Sequence, residues 1–385
     1  MIYFDYNATT PVLPEVREAM LPYLESEWGN PSSSYRFGSK LKGVIEQARE
    51  QVADLIGAKS LREIIFTSGG TESNNAAIHA AVMAQPAKRH IVTSQVEHSS
   101  VLTYCRYLER HHGYRVTYLP VDRDGLLSLR DLEDALTADT SIVSLMWANN
   151  ETGVLFPVAQ IAKLCQDHGV PYHCDAVQAV GKLPIDVRMI PIDFLSITGH
   201  KLGAPKGIGV LYAQQKAAFL PFVHGGHQER GRRGGTENIA SIAGLGVAAD
   251  SALRKLPAYD LSVRRLRDGL EEGILNIIPG AELNGDKHQR LPNTSNIAFP
   301  GVESEALLLL LDQAGISASS GSACLADSID PSHVIAAMKP GKSARHSVRF
   351  SLGGKPSDHD VLFCLESIKN LIAALAQLTT DISEH

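Results

Sequence analysis

The feature that most constrains the fold is an alternation of short β-rich runs with amphipathic helical stretches, maintained from residue 63 to residue 213. The β-rich runs are Glu63–Thr67, His90–Ser94, Arg115–Pro120, Ile142–Met146, Pro171–Cys174, Phe194–Thr198 and Gly209–Tyr212. Helical patterns lie between them at Glu72–Ala84, Leu129–Leu136 and Val158–His168, the last with apolar residues at Val158, Ile161, Ala162, Leu164 and Cys165. Such alternation predicts an α/β fold with a mostly parallel sheet covered by helices on both faces. After about residue 256 the pattern changes. A helix over Leu261–Ile277 ends near Pro279-Gly280, strand-like runs follow at Ser295–Phe299 and Ser347–Ser351, and a terminal helix spans Asp358–Leu378. The expectation is a large domain over residues 15–256 with a seven-stranded sheet, and a smaller α+β domain made of 1–14 and 257–385.

A chain of 385 residues is long enough to bury two cores. With 44% hydrophobic and 20% charged residues it falls outside the disordered and fibrous classes. A net charge of −6 gives no reason to expect nucleic acid or an anionic membrane as partner. The start, Met1-Ile2-Tyr3-Phe4-Asp5, has no basic segment and no long apolar run, so no secretory signal is expected. No run approaches the roughly 20 apolar residues of a membrane helix. The five cysteines (Cys105, Cys165, Cys174, Cys324 and Cys364) are scattered, odd in number and without a Cys-x-x-Cys pair. A disulfide framework or a metal site is therefore not expected, and a reducing cytoplasm fits.

Four segments carry candidate chemistry. Thr67-Ser68-Gly69-Gly70-Thr71-Glu72-Ser73-Asn74 stands between a strand and a helix. It reads either as an anion site, with Gly70 and Thr71 at a helix start, or as a simple capping box. It is neither a Walker loop nor a dinucleotide fingerprint. Asp175-Ala176-Val177-Gln178 follows a strand, and Thr198-Gly199-His200-Lys201 follows the next one. A lysine at such a place, partly desolvated, could form a Schiff base, and a carboxylate could hold a pyridine nitrogen protonated. Ends of adjacent parallel strands bring such residues to one crevice. The plain alternatives are a solvated Lys201 and a helix-capping Asp175. His98, in Val96-Glu97-His98-Ser99, offers a flat ring that could stack on a cofactor, or is an ordinary loop histidine. Cys324 ends the small-residue run Ser317–Cys324 and lies on no apolar face, which makes it the candidate reactive thiol against a functionless loop cysteine. Arg349, in Ser347-Val348-Arg349-Phe350-Ser351, presents a fork suited to a carboxylate or to a structural salt bridge.

Together these segments resemble the cysteine desulfurases, in particular the nitrogen-fixation type, within the fold-type I pyridoxal-phosphate enzymes of the class V aminotransferase group. The resemblance runs from Tyr3–Thr10 through Gly29–Ser33, Trp147–Gly153 and Gly225–Thr236 to Arg349–Leu352. It implies that Lys201 is the Schiff-base lysine, that Asp175 pairs with the pyridine nitrogen, that Gln178 contacts the phenolic oxygen and that His98 stacks on the ring. Gly70, Thr71, Thr198 and His200 would hold the phosphate, with Thr236 reaching in from the partner of a homodimer. Asn30, Asn150 and Arg349 would orient L-cysteine, and Cys324, on a mobile loop of the small domain, would take its sulfur as a persulfide and release alanine. An iron–sulfur scaffold protein is the implied acceptor. A selenocysteine lyase and a non-catalytic scaffold of the same fold are the alternatives. Thr198 stands where the family commonly has serine, and Leu325-Ala326-Asp327 departs from the usual stretch after the cysteine.

Overall fold

The computed structural model describes residues 1–320, 332–339 and 344–383. The chain begins with β1 (Ile2–Tyr3), α1 (Pro14–Glu25), α2 (Arg36–Ser39) and α3 (Leu41–Ile56). Then come β2 (Ile64–Thr67), α4 (Gly70–Ala84), β3 (His90–Ser94), α5 (Ser99–His112), β4 (Arg115–Leu119), α6 (Leu129–Ala135), β5 (Thr140–Ser144) and α7 (Val158–Asp167). The strands β6 (Tyr172–Asp175), β7 (Phe194–Thr198) and β8 (Gly209–Ala213) complete this region.

These strands form the expected seven-stranded sheet, in the order β2-β8-β7-β6-β5-β3-β4. Every pairing is parallel except the two made by β8, which runs against β2 and β7. All residues of β2, β3, β5, β6, β7 and β8 are buried, which is why these strands read as continuous runs and not as alternating ones. Successive side chains nevertheless enter different cores, as the pleat requires. Phe194 belongs to the core that holds Ile78, Val82, Val101 and Leu108 of α4 and α5. Its neighbour Leu195 belongs to the core that holds Val16, Leu41 and Ile161 of α1, α3 and α7.

The rest of the chain supplies α8 (Ile239–Ile277), β9 (Glu282–Leu283), β10 (Thr294–Ala298), α9 (Ser304–Gln313), β11 (Ile316–Ser317), α10 (His333–Met338), β12 (Ser347–Ser351) and α11 (Asp358–Ser383). A small antiparallel sheet has the order β12-β10-β9, and β1 pairs in parallel with β11. A separate core of Phe4, Leu270, Phe299, Leu307, Phe350, Cys364 and Ile368 supports it.

The sequence pattern places the start of a helix at Leu261, yet α8 begins at Ile239 and runs through Pro257 for 39 residues. Its early glycines are packing residues. A Cβ at Gly246 would come within 2.7 Å of the Ala48 Cα in α3, and one at Gly244 within 2.8 Å of Met20 in α1. The first part of α8 buries Ile242 and Leu245 in the large core, and the later part buries Leu266 and Leu270 in the small one. No helix among the described residues is long and apolar enough to cross a membrane.

Candidate active site

Three C-terminal strand ends meet at one cavity of about 460 Å³. β2 ends at Thr67 and leads into the Gly69-Gly70 turn, β6 ends at Asp175, and β7 ends at Thr198 just before His200 and Lys201. Because β6 and β7 are parallel neighbours, with Asp175 opposite Ser196, the residues that follow them emerge side by side. The crevice outside such strand ends is where open α/β sheets bind ligands.

At the glycine turn the capping-box reading fails. No side chain caps α4, and Glu72 instead accepts the Ser68 N–H at 2.8 Å while holding Arg233 at 2.9 Å. Thr71 and Thr198 line the cavity beside the 15-residue helix α4. Gly69 sits at φ 154°, ψ −178°, a region open essentially only to glycine. A Cβ on Gly70 would lie 2.9 Å from Val177. The start of α4 therefore presents bare backbone at Gly70, a favourable setting for an anion.

Asp175 is 7% exposed. Its two carboxylate oxygens accept from the Val177 N–H at 3.0 Å and from Asn74 Nδ2 at 2.7 Å. Asn74 also donates to Ser100 Oγ at 2.8 Å, and Ser100 Oγ lies 2.8 Å from His98 Nδ1. The Ser100 N–H donates to that same nitrogen, so Nδ1 is the acceptor and the ring proton sits on Nε2. One chain of hydrogen bonds thus joins the carboxylate to the imidazole. Asn74 lies one helical turn after Thr71, so the pair shares a face of α4, but the sequence reading did not single it out.

Lys201 Nζ donates to the backbone oxygens of Asn7 and Ala8, which anchors the first residues of the chain on the cavity floor. His200 contacts Thr9 Oγ1 at 3.2 Å, and burial together with the Lys201 and Lys206 charges pushes its imidazole down to about 4. Gln178 donates to the Asn7 carbonyl at 3.0 Å. Arg349, 2% exposed, pairs with Asp5 at 2.6 Å and donates to the Asn150 carbonyl at 3.0 Å.

The sequence reading also missed two carboxyls and a histidine. Glu97 is fully buried and accepts from Ser94 Oγ at 2.8 Å and from the Met146 N–H at 3.0 Å. Burial, with the nearby Asp175 charge adding to it, pushes its carboxyl up to about 8. Glu151 lines the cavity and accepts from Ser332 Oγ at 2.5 Å; burial raises it against the opposing pull of that bond and of His333, Arg349 and His98. His333 lines the same wall, with Nε2 3.0 Å from the Glu97 carbonyl.

The cavity therefore gathers Gly70, Thr71, His98, Asn150, Asp175, Gln178, Thr198, His200, Lys201 and Arg349. It does not gather Asn30 or Thr236, both exposed and off its walls. Cys324 lies outside the described residues. Cys105, Cys165, Cys174 and Cys364 are all buried, and burial pushes the thiols of Cys105, Cys165 and Cys364 up to about 12 and that of Cys174 well above its ordinary range.

Comparison with known proteins shows the family. The aminotransferase class-V family model matches residues 2–362. The chain is 49% identical to the cysteine desulfurase NifS of Azotobacter vinelandii, over 98% of this chain and 94% of that one. It is 50% identical to the cysteine desulfurase of Trichormus azollae over the same shares. Among solved structures, a NifS-like protein superposes with a TM-score of 0.90 at 34% identity, over 97% of this chain and 99% of that one. The protein SspA in complex with cysteine superposes with a TM-score of 0.81 at 37% identity, over 91% and 99%. The chain belongs to the class-V aminotransferase family of pyridoxal-phosphate enzymes.

Proposed function

We propose that this chain is a cysteine desulfurase that converts L-cysteine to L-alanine and receives the sulfur on Cys324 as a persulfide. One observation carries the reading: Lys201 and Asp175 open into a single cavity at the ends of neighbouring parallel strands. When bound, pyridoxal phosphate supplies an electron sink for charge developing at the Cα of an amino acid. The residues suit that group. The bare turn at Gly70 leaves room that a Cβ would fill, Asp175 offers an oxygen to a protonated ring nitrogen, and buried Asn74 Oδ1 has no protein partner. In this reading Gly70, Thr71, Thr198 and His200 hold the phosphate, His98 covers the ring face, and Gln178 meets the ring oxygen.

The chain's own residues then do the following. Lys201 tethers the cofactor and, once displaced by substrate, takes the Cα proton. Arg349 binds the substrate carboxylate, with Asn150 and Asn30 helping to place it. The Cys324 thiolate attacks the substrate sulfur; an S–S bond forms, the C–S bond breaks, and the three-carbon remainder takes up protons to leave as alanine. The four described cysteines support the choice of nucleophile, since buried thiols raised this far hold almost no thiolate near neutral pH.

The finer reading is a cytoplasmic homodimer that passes the persulfide to an iron–sulfur scaffold protein. Thr236, exposed and away from its own cavity, would serve the neighbouring one. We take residues 15–256 as the cofactor-holding domain and 1–14 with 257–385 as the smaller one, on the support of two cores, although Leu291 and the α10 residues Val334, Ile335 and Met338 pack into the larger. The test is mass spectrometry after brief exposure to cysteine, which should place the added sulfur on Cys324. Lys201→Ala should make no alanine, and Cys324→Ala should bind cysteine without forming persulfide. Undiminished sulfide release by Cys324→Ala would overturn the assignment.

A further inference from the structure

Four residues after Gln178, in the turn that follows β6, stands a lysine that the reaction above does not use. Lys182 is 6% exposed. The turn that aims it inward depends on Gly181, at φ +77°, where a Cβ would also collide with Leu202. Its Nζ donates to Gln178 Oε1 at 2.8 Å and to Asn7 Oδ1 at 3.0 Å. Both partners are amide oxygens, an unusual setting for a buried amine, and both belong to residues on the cavity wall.

We propose that Lys182 is a positioning residue whose amine fixes the amides of Gln178 and Asn7, so that Gln178 turns an N–H toward the cavity to meet the oxygen on the cofactor's ring. The inference rests on the functional reading above.

An amide side chain can present either its oxygen or its nitrogen to a given neighbour, and only its hydrogen-bond partners decide which. Lys182 and the Asn7 carbonyl decide together for Gln178, one from each side of the amide. With Oε1 held by Nζ, Nε2 faces the other way; one of its N–H groups reaches the Asn7 carbonyl at 3.0 Å, and the second is left for the cavity. A half-turn of the amide would aim Oε1 at an oxygen-bearing ligand and repel it. Asn7 is fixed by the same logic: its Oδ1 accepts from Lys182 and from Asn293 Nδ2 at 3.0 Å, so its Nδ2 donates to Thr294 Oγ1 at 2.9 Å and to the Asn150 carbonyl at 3.2 Å. Lys182 thus reaches through Asn7 to the backbone of Asn150.

The charged groups that face Lys182 are Lys201 and Arg349, both cations. Burial first, then these two charges, push its amine well below the ordinary lysine range. An uncharged amine still has two N–H donors, one for each oxygen it contacts. So placed, the amine acts through its two hydrogen bonds and not through charge: a ring oxygen deprived of the Gln178 N–H would hold its nearby proton more tightly.

The experiment compares Lys182→Met, Gln178→Leu and the double variant with the unaltered enzyme. The readouts are the dissociation constant for pyridoxal phosphate, measured by absorbance and fluorescence on protein freed of cofactor, and the pH midpoint of the bound cofactor's visible absorption change. Circular dichroism and thermal unfolding check the fold. Lys182→Met should weaken cofactor binding about tenfold, the effect of one misdirected buried hydrogen bond, and should raise the absorption midpoint. The double variant should bind no more weakly than Gln178→Leu alone, because Lys182 acts on the cofactor through that amide, its contact with Asn7 serving the substrate side at Asn150. Should the methionine variant fail to fold, Lys182→Gln, able to donate to one of the two oxygens, carries the same test with about a threefold loss. A folded variant with binding and midpoint unchanged, or losses that simply multiply in the double variant, would overturn the proposal. An unaltered protein that takes no cofactor would instead overturn the functional reading, and this inference with it.

Discussion

Glu97 gives the most direct test of the electrostatics beneath the site. Its carboxyl is fully buried, and its ordinary value of 4.5 is raised to about 8. In the unfolded chain the group ionises from about pH 4.5 upward, whereas in the fold it stays protonated until about 8. Its contribution to stability is thus fully present below the lower value and is lost as the pH rises through the interval, in total by about 5 kcal/mol. Between pH 5.5 and 8.5 the loss is about 3–4 kcal/mol. Glu97→Gln removes this titration but keeps an oxygen for Ser94 Oγ and the Met146 N–H. It places an amide nitrogen where Oε2 now has no partner, at a pH-independent cost of about 1–3 kcal/mol. The intercept therefore says little and the slope is diagnostic. For 385 residues, an unfolding entropy of about 2.1 cal/mol/K per residue gives about 0.8 kcal/mol/K near the melting temperature. The Tm of Glu97→Gln minus that of the unaltered protein, measured by calorimetry on the cofactor-free forms, should rise by about 4 °C from pH 5.5 to 8.5. Parallel Tm curves across that range would refute the account of Glu97 as a buried neutral acid.

Other variants should behave as follows. His173, fully buried between Ser144 Oγ and Ser196 Oγ, has its imidazole pushed down by burial to about 3. The unfolded chain takes up a proton there below about pH 6.5 and the fold does not, so stability falls as pH drops from about 6.5 toward 3; His173→Gln should flatten that acid limb of a denaturation series. Arg49→Met leaves Glu229, its 2.8 Å partner, as a buried uncompensated carboxylate and should cost about 3–5 kcal/mol in denaturant unfolding. Adding Glu229→Gln should recover part of that loss. Arg349→Lys exchanges a planar fork for a point charge and should raise KM for cysteine about 10- to 100-fold in an alanine-release assay, with a smaller change in kcat.

Much of this architecture was legible because fully buried strands leave uninterrupted apolar runs. Phe194–Thr198 and His90–Ser94 begin and end where the pattern placed them. β5 is instructive by contrast: the pattern put it at Ile142–Met146, but it pairs over Thr140–Ser144. The polar Thr140 and Ser141 are satisfied inside the sheet by His90, and no local rule reveals a partner fifty residues away. The site divides in the same manner. Asp175 and Lys201 were visible because strand ends announce themselves. Asn74, Ser100, Glu151 and Lys182 were not, because their roles come from contacts made across the fold. Lys182 is held by Gln178 and Asn7, the second of them 175 residues away in sequence.

The first residues of the chain acquire their place from its far end. Asn7 N–H donates to Ser351 Oγ, Asp5 pairs with Arg349, and Phe4 lies in a core shared with Phe350. On a ribosome Asp5 and Asn7 are made well before their partners Arg349 and Ser351, which follow 344 residues later. The floor beneath Lys201 can close only once that later segment exists, a contact of long sequence separation and so a slow one to form.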